Sequence, residues 1–106
     1  MNENMIEADS FDFYDRITSG PVFVFFYHYL DRLSRMMEQL VDEIVDEYAD
    51  QVCFIAVDVE QSPDLAAEYE IGSVPAVLLL LDGQPEQLIE GINPQDVYTG
   101  ALDDLL

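Results

Sequence analysis

Apart from its carboxylates, this chain has few side chains suited to catalysis or metal binding. The chain has one cysteine, Cys53, and one histidine, His28. A single cysteine excludes an intramolecular disulfide and any metal site that is built from several cysteines. Because Cys53 lies in an apolar segment with no basic residue nearby in sequence, we expect it to pack as a small hydrophobic residue.

His28, Asp31 and Ser34 lie close enough in sequence to be tested as a hydrolytic triad. The Gly-x-Ser-x-Gly segment that exposes a serine nucleophile is missing, and the pattern around Ser34 predicts a helix. The acidic pair Asp58 and Glu60 lacks the spacing of a calcium loop. We therefore expect no catalytic residue, no metal and no cofactor, and we expect His28 to flank the candidate site.

Charge limits the classes of partner. The chain has 23 acidic and 3 basic residues, which gives a net charge of −20. Such a charge repels nucleic acid and anionic membranes and favours a basic protein partner or cations, although adaptation to high salt would also explain it. The longest apolar run, residues 74–81, is too short to span a bilayer, and no signal peptide is evident. These features predict a cytoplasmic protein without a membrane segment.

The length of 106 residues, half of them apolar, predicts one domain over residues 1–106. Hydrophobic periodicity predicts strands at residues 5–8, 22–27, 52–57, 76–81 and 86–90, with the last two joined by a turn at Asp82-Gly83. It predicts helices from a cap at Asp9 or Ser10 to about Thr18, over 31–48, over 62–69 with Ser62 as the cap, and over 93–106 with Asn93 as the cap. This order, β-α-β-α-β-α-β-β-α, predicts an α/β fold in which helices cover both faces of a mixed sheet.

Apolar residues at helical spacing predict which side of each helix is buried. For the first helix these residues are Phe11, Tyr14 and Ile17. For the long helix they are Leu33, Met36, Met37, Leu40, Val41, Ile44, Val45 and Tyr48. For the last helix they are Val97, Ala101, Leu102 and Leu105.

Both the order of elements and several short segments resemble the thioredoxin family. The matching segments are Asp9-Ser10-Phe11-Asp12, residues 40–48, Gln61-Ser62-Pro63, Tyr69-x-Ile71, Ser73-Val74-Pro75-Ala76, Asp82-Gly83 and Gly91. The resemblance spans roughly the whole chain and implies a thioredoxin fold with a cis proline at Pro75.

The departures from the family pattern bear on function. Residues 30–35, Leu-Asp-Arg-Leu-Ser-Arg, stand where the family has Trp-Cys-Gly-Pro-Cys-Lys, so Asp31 and Ser34 occupy the positions of the two cysteines. Neither side chain can exchange a disulfide. Phe25 and Ala56 stand where the family has a buried aspartate and its lysine partner. We therefore expect no dithiol oxidoreductase activity, and we expect Asp31 to cap the long helix.

The resemblance also implies a shallow groove that binds an extended peptide. Its matching positions here are Tyr29, Leu30, Arg32, Leu33, Val74, Pro75, Gly91 and Ile92. The alternative is that Leu33 and Ile92 turn inward. The leading hypothesis is a redox-inactive adaptor or chaperone-like module, monomeric or weakly dimeric, that binds a basic protein segment in this groove. Other hypotheses are a thiol-dependent protein that uses Cys53 with a partner, and an acidic mimic of nucleic acid.

Overall fold

The computed structural model describes residues 2–106, with a five-stranded sheet at its centre. The strands are β1 (Met5–Glu7), β2 (Pro21–Tyr27), β3 (Cys53–Asp58), β4 (Ala76–Leu81) and β5 (Gln84–Glu90). The helices are α1 (Phe13–Arg16), α2 (Arg32–Tyr48), α3 (Pro63–Glu68) and α4 (Gln95–Leu105). The sheet order is β1-β3-β2-β4-β5, with β2 parallel to β3 and antiparallel to β4. The predicted mixed-sheet α/β fold is confirmed.

Strand β2 is central because its side chains are apolar on both faces. Side chains alternate between the two faces of a strand, so Phe23 and Phe25 pack on one side while Val24 and Phe26 pack on the other. Helices α2 and α4 cover the first side, and α1 and α3 cover the second. None of these helices is long and apolar enough to cross a membrane, within the part of the chain that the structure describes.

The first helix is shorter than predicted. The carboxylate of Asp9 accepts the backbone N–H groups of Phe11 and Asp12, at 2.9 and 3.2 Å, and this holds the segment in a turn. Helix α1 therefore begins only at Phe13, and a different set of side chains faces the core. Phe13 and Ile17 are buried, whereas Phe11 is 94% exposed and Tyr14 is also exposed. The predicted burial of Phe11 and Tyr14 was wrong.

The start of the last helix also differs from the prediction. Asn93 does not cap α4, because its side-chain amide donates backwards to the carbonyl of Glu90 at 3.0 Å. Pro94 takes the capping position. Val97, which was predicted to face the core, is exposed, and Tyr98 is fully buried instead. The Tyr98 hydroxyl donates a hydrogen bond to the carbonyl of Gly91 at 3.0 Å. Ser62 does occupy the capping position of α3, but its side chain makes no capping hydrogen bond.

Strand directions bring four chain segments to one edge of the sheet. Because β2, β3 and β5 run towards this edge and β4 runs away from it, the segments after Tyr27, Asp58 and Glu90 meet the segment before Ala76. The N-terminus of α2 follows directly from the first of these segments. Asp31, Ser34 and Pro75, which are far apart in sequence, therefore share this edge, while Cys53 begins β3 at the opposite edge.

Candidate functional site

Asp31 caps α2. Its backbone is extended, and its carboxylate Oδ2 accepts the N–H of Ser34 at 2.8 Å. Its backbone carbonyl accepts the N–H of Arg35 at 3.1 Å, the first turn of the helix. The predicted cap is confirmed, and it places a negative charge at the positive end of a 17-residue helix.

Ser34 and His28 are close, but they do not form a triad with Asp31. Ser34 is only 2% exposed, and its hydroxyl oxygen accepts the backbone N–H of His28 at 3.3 Å. The imidazole of His28 is engaged elsewhere: Nδ1 accepts the N–H of Leu30 at 3.1 Å, and Nε2 lies 2.8 Å from a carboxylate oxygen of Glu60. No ring nitrogen is left to activate the serine.

Sequence reasoning considered Glu60 only for calcium binding and missed its contact with His28. Glu60 lies in the loop after β3, the parallel neighbour of β2, so the two loops leave the sheet side by side. The Glu60 N–H donates to the buried carboxylate of Asp58 at 2.9 Å, and this shapes the loop. The only signal in the sequence was that two parallel strands end at the same edge.

Apolar side chains stand exposed around this edge. The exposed fractions are 56% for Tyr29, 64% for Leu30, 49% for Leu33, 58% for Met36 and 44% for Ile92. Leu33 and Ile92 therefore do not turn inward, and the predicted burial of Leu33 and Met36 was wrong. The buried face of α2 runs instead through Ser34, Met37, Val41, Ile44, Val45 and Tyr48.

Val74 and Pro75 form the opposite side of this surface. The peptide bond between them is cis, Pro75 is buried, and Val74 is half-buried. The carbonyl of Pro75 accepts the N–H of Gly91 at 2.9 Å, which brings Ile92 beside it. The backbone N–H and C=O of Val74 make no hydrogen bond with any residue in 2–106. We call Tyr29, Leu30, Leu33, Val74 and Ile92 the apolar edge.

Arg32 is the remaining predicted groove residue. It is exposed in the first turn of α2 and makes no ion pair with the described residues. The structure thus brings the eight predicted groove positions to the same edge of the sheet.

A cavity of about 370 Å³ opens beside the N-terminus of α2. Its lining residues are Phe25, Tyr27, Tyr29, Leu30, Ser34, Arg35 and Glu38. The rings of Phe25 and Tyr27 stack with their centroids 5.5 Å apart and an angle of 18° between their planes. The Tyr27 hydroxyl donates to Glu7 at 2.8 Å, and burial, followed by this hydrogen bond, raises the pKa of Tyr27 well above its usual value.

Phe25 and Ala56 are register partners on adjacent strands and are both buried. By the resemblance, these are the positions of the family's buried aspartate and its lysine partner. In this chain the two positions are adjacent, and both residues are apolar. Neither side chain can accept or donate a proton.

Cys53 lies far from this edge. It is level with Val22 at the start of β2, about 17 Å from Tyr27 at the rise of about 3.3 Å per residue. It is half-buried, and burial raises the pKa of its thiol despite the opposing positive charge of Arg16. The sequence places no basic residue close to Cys53, and the influence of Arg16, which belongs to α1, appears only in the fold. The thiolate is still disfavoured, because burial outweighs this charge.

Metal-binding side chains are dispersed. Residues 2–106 contain no group of three or more His, Cys, Asp or Glu side chains arranged to hold a metal ion. Asp58 is buried, and most other acidic side chains are exposed or partly exposed.

The chain is similar to known thioredoxins along nearly its whole length. The model of the family described as Thioredoxin matches residues 4–104. Thioredoxins from several Staphylococcus aureus strains, among them Mu50 and MW2, are 26% identical over 99 residues, 93% of this chain and 95% of theirs.

Solved structures share the fold. A chain from a study of the thiol-resolving mechanism in yeast mitochondrial 1-Cys peroxiredoxin via glutathione/thioredoxin systems superposes with a TM-score of 0.83 at 30% identity, covering 93% of this chain and 94% of that one. A mutant thioredoxin from Halobacterium salinarum NRC-1 gives a TM-score of 0.88 at 18% identity, covering 96% and 90%.

Proposed function

Since the chain belongs to the thioredoxin family, we propose that it binds an extended segment of another protein and carries out no dithiol exchange. Its role is then that of an adaptor or chaperone-like module. Disulfide exchange requires a thiolate that attacks a sulfur atom, and the two positions at the start of α2 hold Asp31 and Ser34.

The observation that carries the proposal is the apolar edge together with the free backbone of Val74. Exposed apolar side chains grouped on a strongly charged surface mark a contact surface. An extended peptide can pair its backbone with the N–H and C=O of Val74, while its side chains contact Leu33 and Ile92. The backbone pairing supplies affinity, and the apolar contacts select the sequence.

The net charge indicates the chemistry of the partner. With a charge of −20, the molecule attracts basic segments and repels acidic ones at long range. The proposed ligand is therefore a segment with apolar residues for the edge and flanking Lys or Arg residues for the surrounding acidic surface.

Chemistry by Cys53 is a weaker candidate. The thiol lies at the opposite edge of the sheet from Pro75, and burial raises its pKa, which lowers the fraction of thiolate at neutral pH. No observation at Cys53 favours this alternative.

Peptide selection tests the proposal. Short random peptides displayed on phage are selected on the wild-type protein, and the Kd values of the recovered peptides are measured by fluorescence anisotropy. We expect peptides with apolar residues and flanking basic residues. Leu33→Asp and Ile92→Asp should each weaken binding by about tenfold or more, because each places a charge in a contact that excludes water.

Phe11→Asp is the matched control. Phe11 is exposed and lies outside the apolar edge, and its substitution makes the same change in charge while it also removes an exposed apolar side chain. The proposal fails if no peptide is recovered, or if Phe11→Asp weakens binding as much as Leu33→Asp and Ile92→Asp do.

A further inference from the structure

The cavity beside α2 is lined by polar and charged side chains as well as by aromatic rings, unlike the apolar edge. Its inner wall is the stacked pair of Phe25 and Tyr27. The Tyr27 hydroxyl is committed to Glu7, so this residue offers the cavity its ring. A volume of about 370 Å³ falls in the range of small-molecule sites.

Arg35 brings a positive charge to this cavity. Of the chain's three basic residues, Arg16 pairs with Asp12 at 3.3 Å, while the side chains of Arg32 and Arg35 make no ion pair or hydrogen bond with residues 2–106. Of these two, Arg35 lines the cavity. It also lies in the first turn of α2, where the helix dipole disfavours a cation. The Arg35 side chain is exposed, so its guanidinium is accessible to an anionic group that enters the cavity. This is a local positive charge on a molecule whose net charge of −20 repels anions at long range.

Ser34 is a second, independent observation. Its side chain lines the cavity and is only 2% exposed. The hydroxyl oxygen accepts the His28 N–H, but the hydroxyl hydrogen has no acceptor among the described residues. Buried donors are normally paired, so this hydrogen is available to a ligand in the cavity.

We propose that the cavity binds a small organic acid whose carboxylate meets the Arg35 guanidinium and the Ser34 hydroxyl while its apolar ring lies against Phe25 and Tyr27. A carboxylate accepts charge-assisted hydrogen bonds from both donors. Glu38 also lines the cavity and repels the carboxylate of the ligand. The ligand's carboxylate is therefore placed beside Arg35, and its ring fills the rest of the cavity. The site shares Tyr29 and Leu30 with the apolar edge but does not rest on the proposed peptide binding.

Three naphthalene probes of similar size test the charge preference. They are 2-naphthoate, its neutral counterpart 2-naphthamide, and the cation 2-naphthylmethylamine. The protein has no tryptophan, so naphthyl fluorescence can be followed without interference from that residue. We expect 2-naphthoate to bind the wild-type protein most tightly, and its addition to shift the amide resonances of residues around 25–35 in heteronuclear NMR spectra.

Variants locate the anion. Arg35→Met should weaken 2-naphthoate binding by about tenfold or more and leave 2-naphthamide binding unchanged, because only the carboxylate meets the guanidinium. Ser34→Ala should weaken 2-naphthoate binding several-fold. Arg16→Met makes the same change in net charge on the other side of the sheet, and it should have little effect.

Several results would overturn the proposal. One is tighter binding of the amine or the amide than of 2-naphthoate, and another is an equal effect of Arg16→Met and Arg35→Met. Resonance shifts confined to residues outside the cavity, or no binding of 2-naphthoate at millimolar concentration, would also overturn it. None of these results bears on peptide selection at Leu33 and Ile92, so the two proposals fail separately.

Discussion

Asp31 places a carboxylate at the start of α2, the position at which the resemblance to the thioredoxin family puts a reactive thiolate. The helix N-terminus stabilises either anion. The carboxylate also accepts the N–H of Ser34, which is one of the donors that α2 leaves without a partner in the helix. A single side chain thus supplies both the cap of α2 and a negative charge at its N-terminus, without a thiol.

Loss of this cap should destabilise the protein. Asp31→Ala is expected to lower the free energy of unfolding by about 1 kcal/mol, because the Ser34 N–H loses its acceptor and the dipole loses its counter-charge. Urea denaturation measures the change. Glu43→Ala, at an exposed position within α2, is the control for removing one negative charge from an acidic protein. A stability of Asp31→Ala equal to that of Glu43→Ala would contradict the assignment of the cap.

Local and distant residue contacts differ in how well the sequence predicts them. The bond from Asp31 to the N–H of Ser34 spans three residues, so helix-capping rules predict it. The contact of His28 with Glu60 spans two loops and depends on strand order. Ser34 and Arg35 could not be recognised as donors in one cavity until the structure placed them beside Phe25.

At the scale of elements, α2 carries more apolar residues than the sheet can cover. Its periodicity correctly predicts an amphipathic helix, but which apolar residues face the sheet depends on how the helix docks. In the structure Met37 and Val41 pack on the sheet, while Leu33 and Met36 remain exposed. This uncovered part of α2 contributes Leu33 to the apolar edge, and hydrophobic patterning alone could not separate it from the core.

Helices α2 and α4 are joined by a hydrogen bond from the Tyr48 hydroxyl to a carboxylate oxygen of Asp103, at 2.7 Å. This bond, more than any other cause, raises the pKa of Tyr48 to about 12. Because the folded state holds this proton more tightly than the unfolded state, the stabilisation is complete below about pH 10 and is lost as the pH rises towards about 12.

Alkaline titration tests this link between the helices. Asp103→Asn should move the Tyr48 pKa back towards its ordinary value of about 10, as followed by the ultraviolet absorbance of tyrosinate. Tyr48→Phe should lose less stability than the wild type between about pH 9 and about pH 11.5, measured by chemical denaturation. Identical pH dependence of the two proteins would show that the bond does not join α2 to α4 in solution.

At the scale of the whole molecule, two features of the sequence lead to different conclusions. Element order and turn residues predict the fold because strand direction and short connections leave few topologies. The net charge of −20 bears on solubility and on association with other molecules, but it does not determine the fold. Close spacing of so many carboxylates opposes the compact state, and dissolved cations screen that repulsion.

Salt should therefore stabilise the protein. We expect the Tm to rise by several degrees between about 0.05 M and about 1 M NaCl, because the screening length falls from over 10 Å to about 3 Å. Tetramethylammonium chloride serves as the control, since screening does not depend on which cation supplies it. A Tm that is independent of both salts would contradict the expected self-repulsion, and a rise with sodium alone would indicate a specific cation site.

We place Asp31 and Ser34 at the two positions at which a thioredoxin has its cysteines. Insulin reduction in the presence of dithiothreitol tests this assignment most directly. The wild-type protein should reduce insulin no faster than dithiothreitol alone. The Asp31→Cys, Ser34→Cys variant, made together with Cys53→Ser, should form a disulfide and accelerate the reaction. Acceleration by the wild-type protein, or failure of the two introduced cysteines to form a disulfide, would contradict the account.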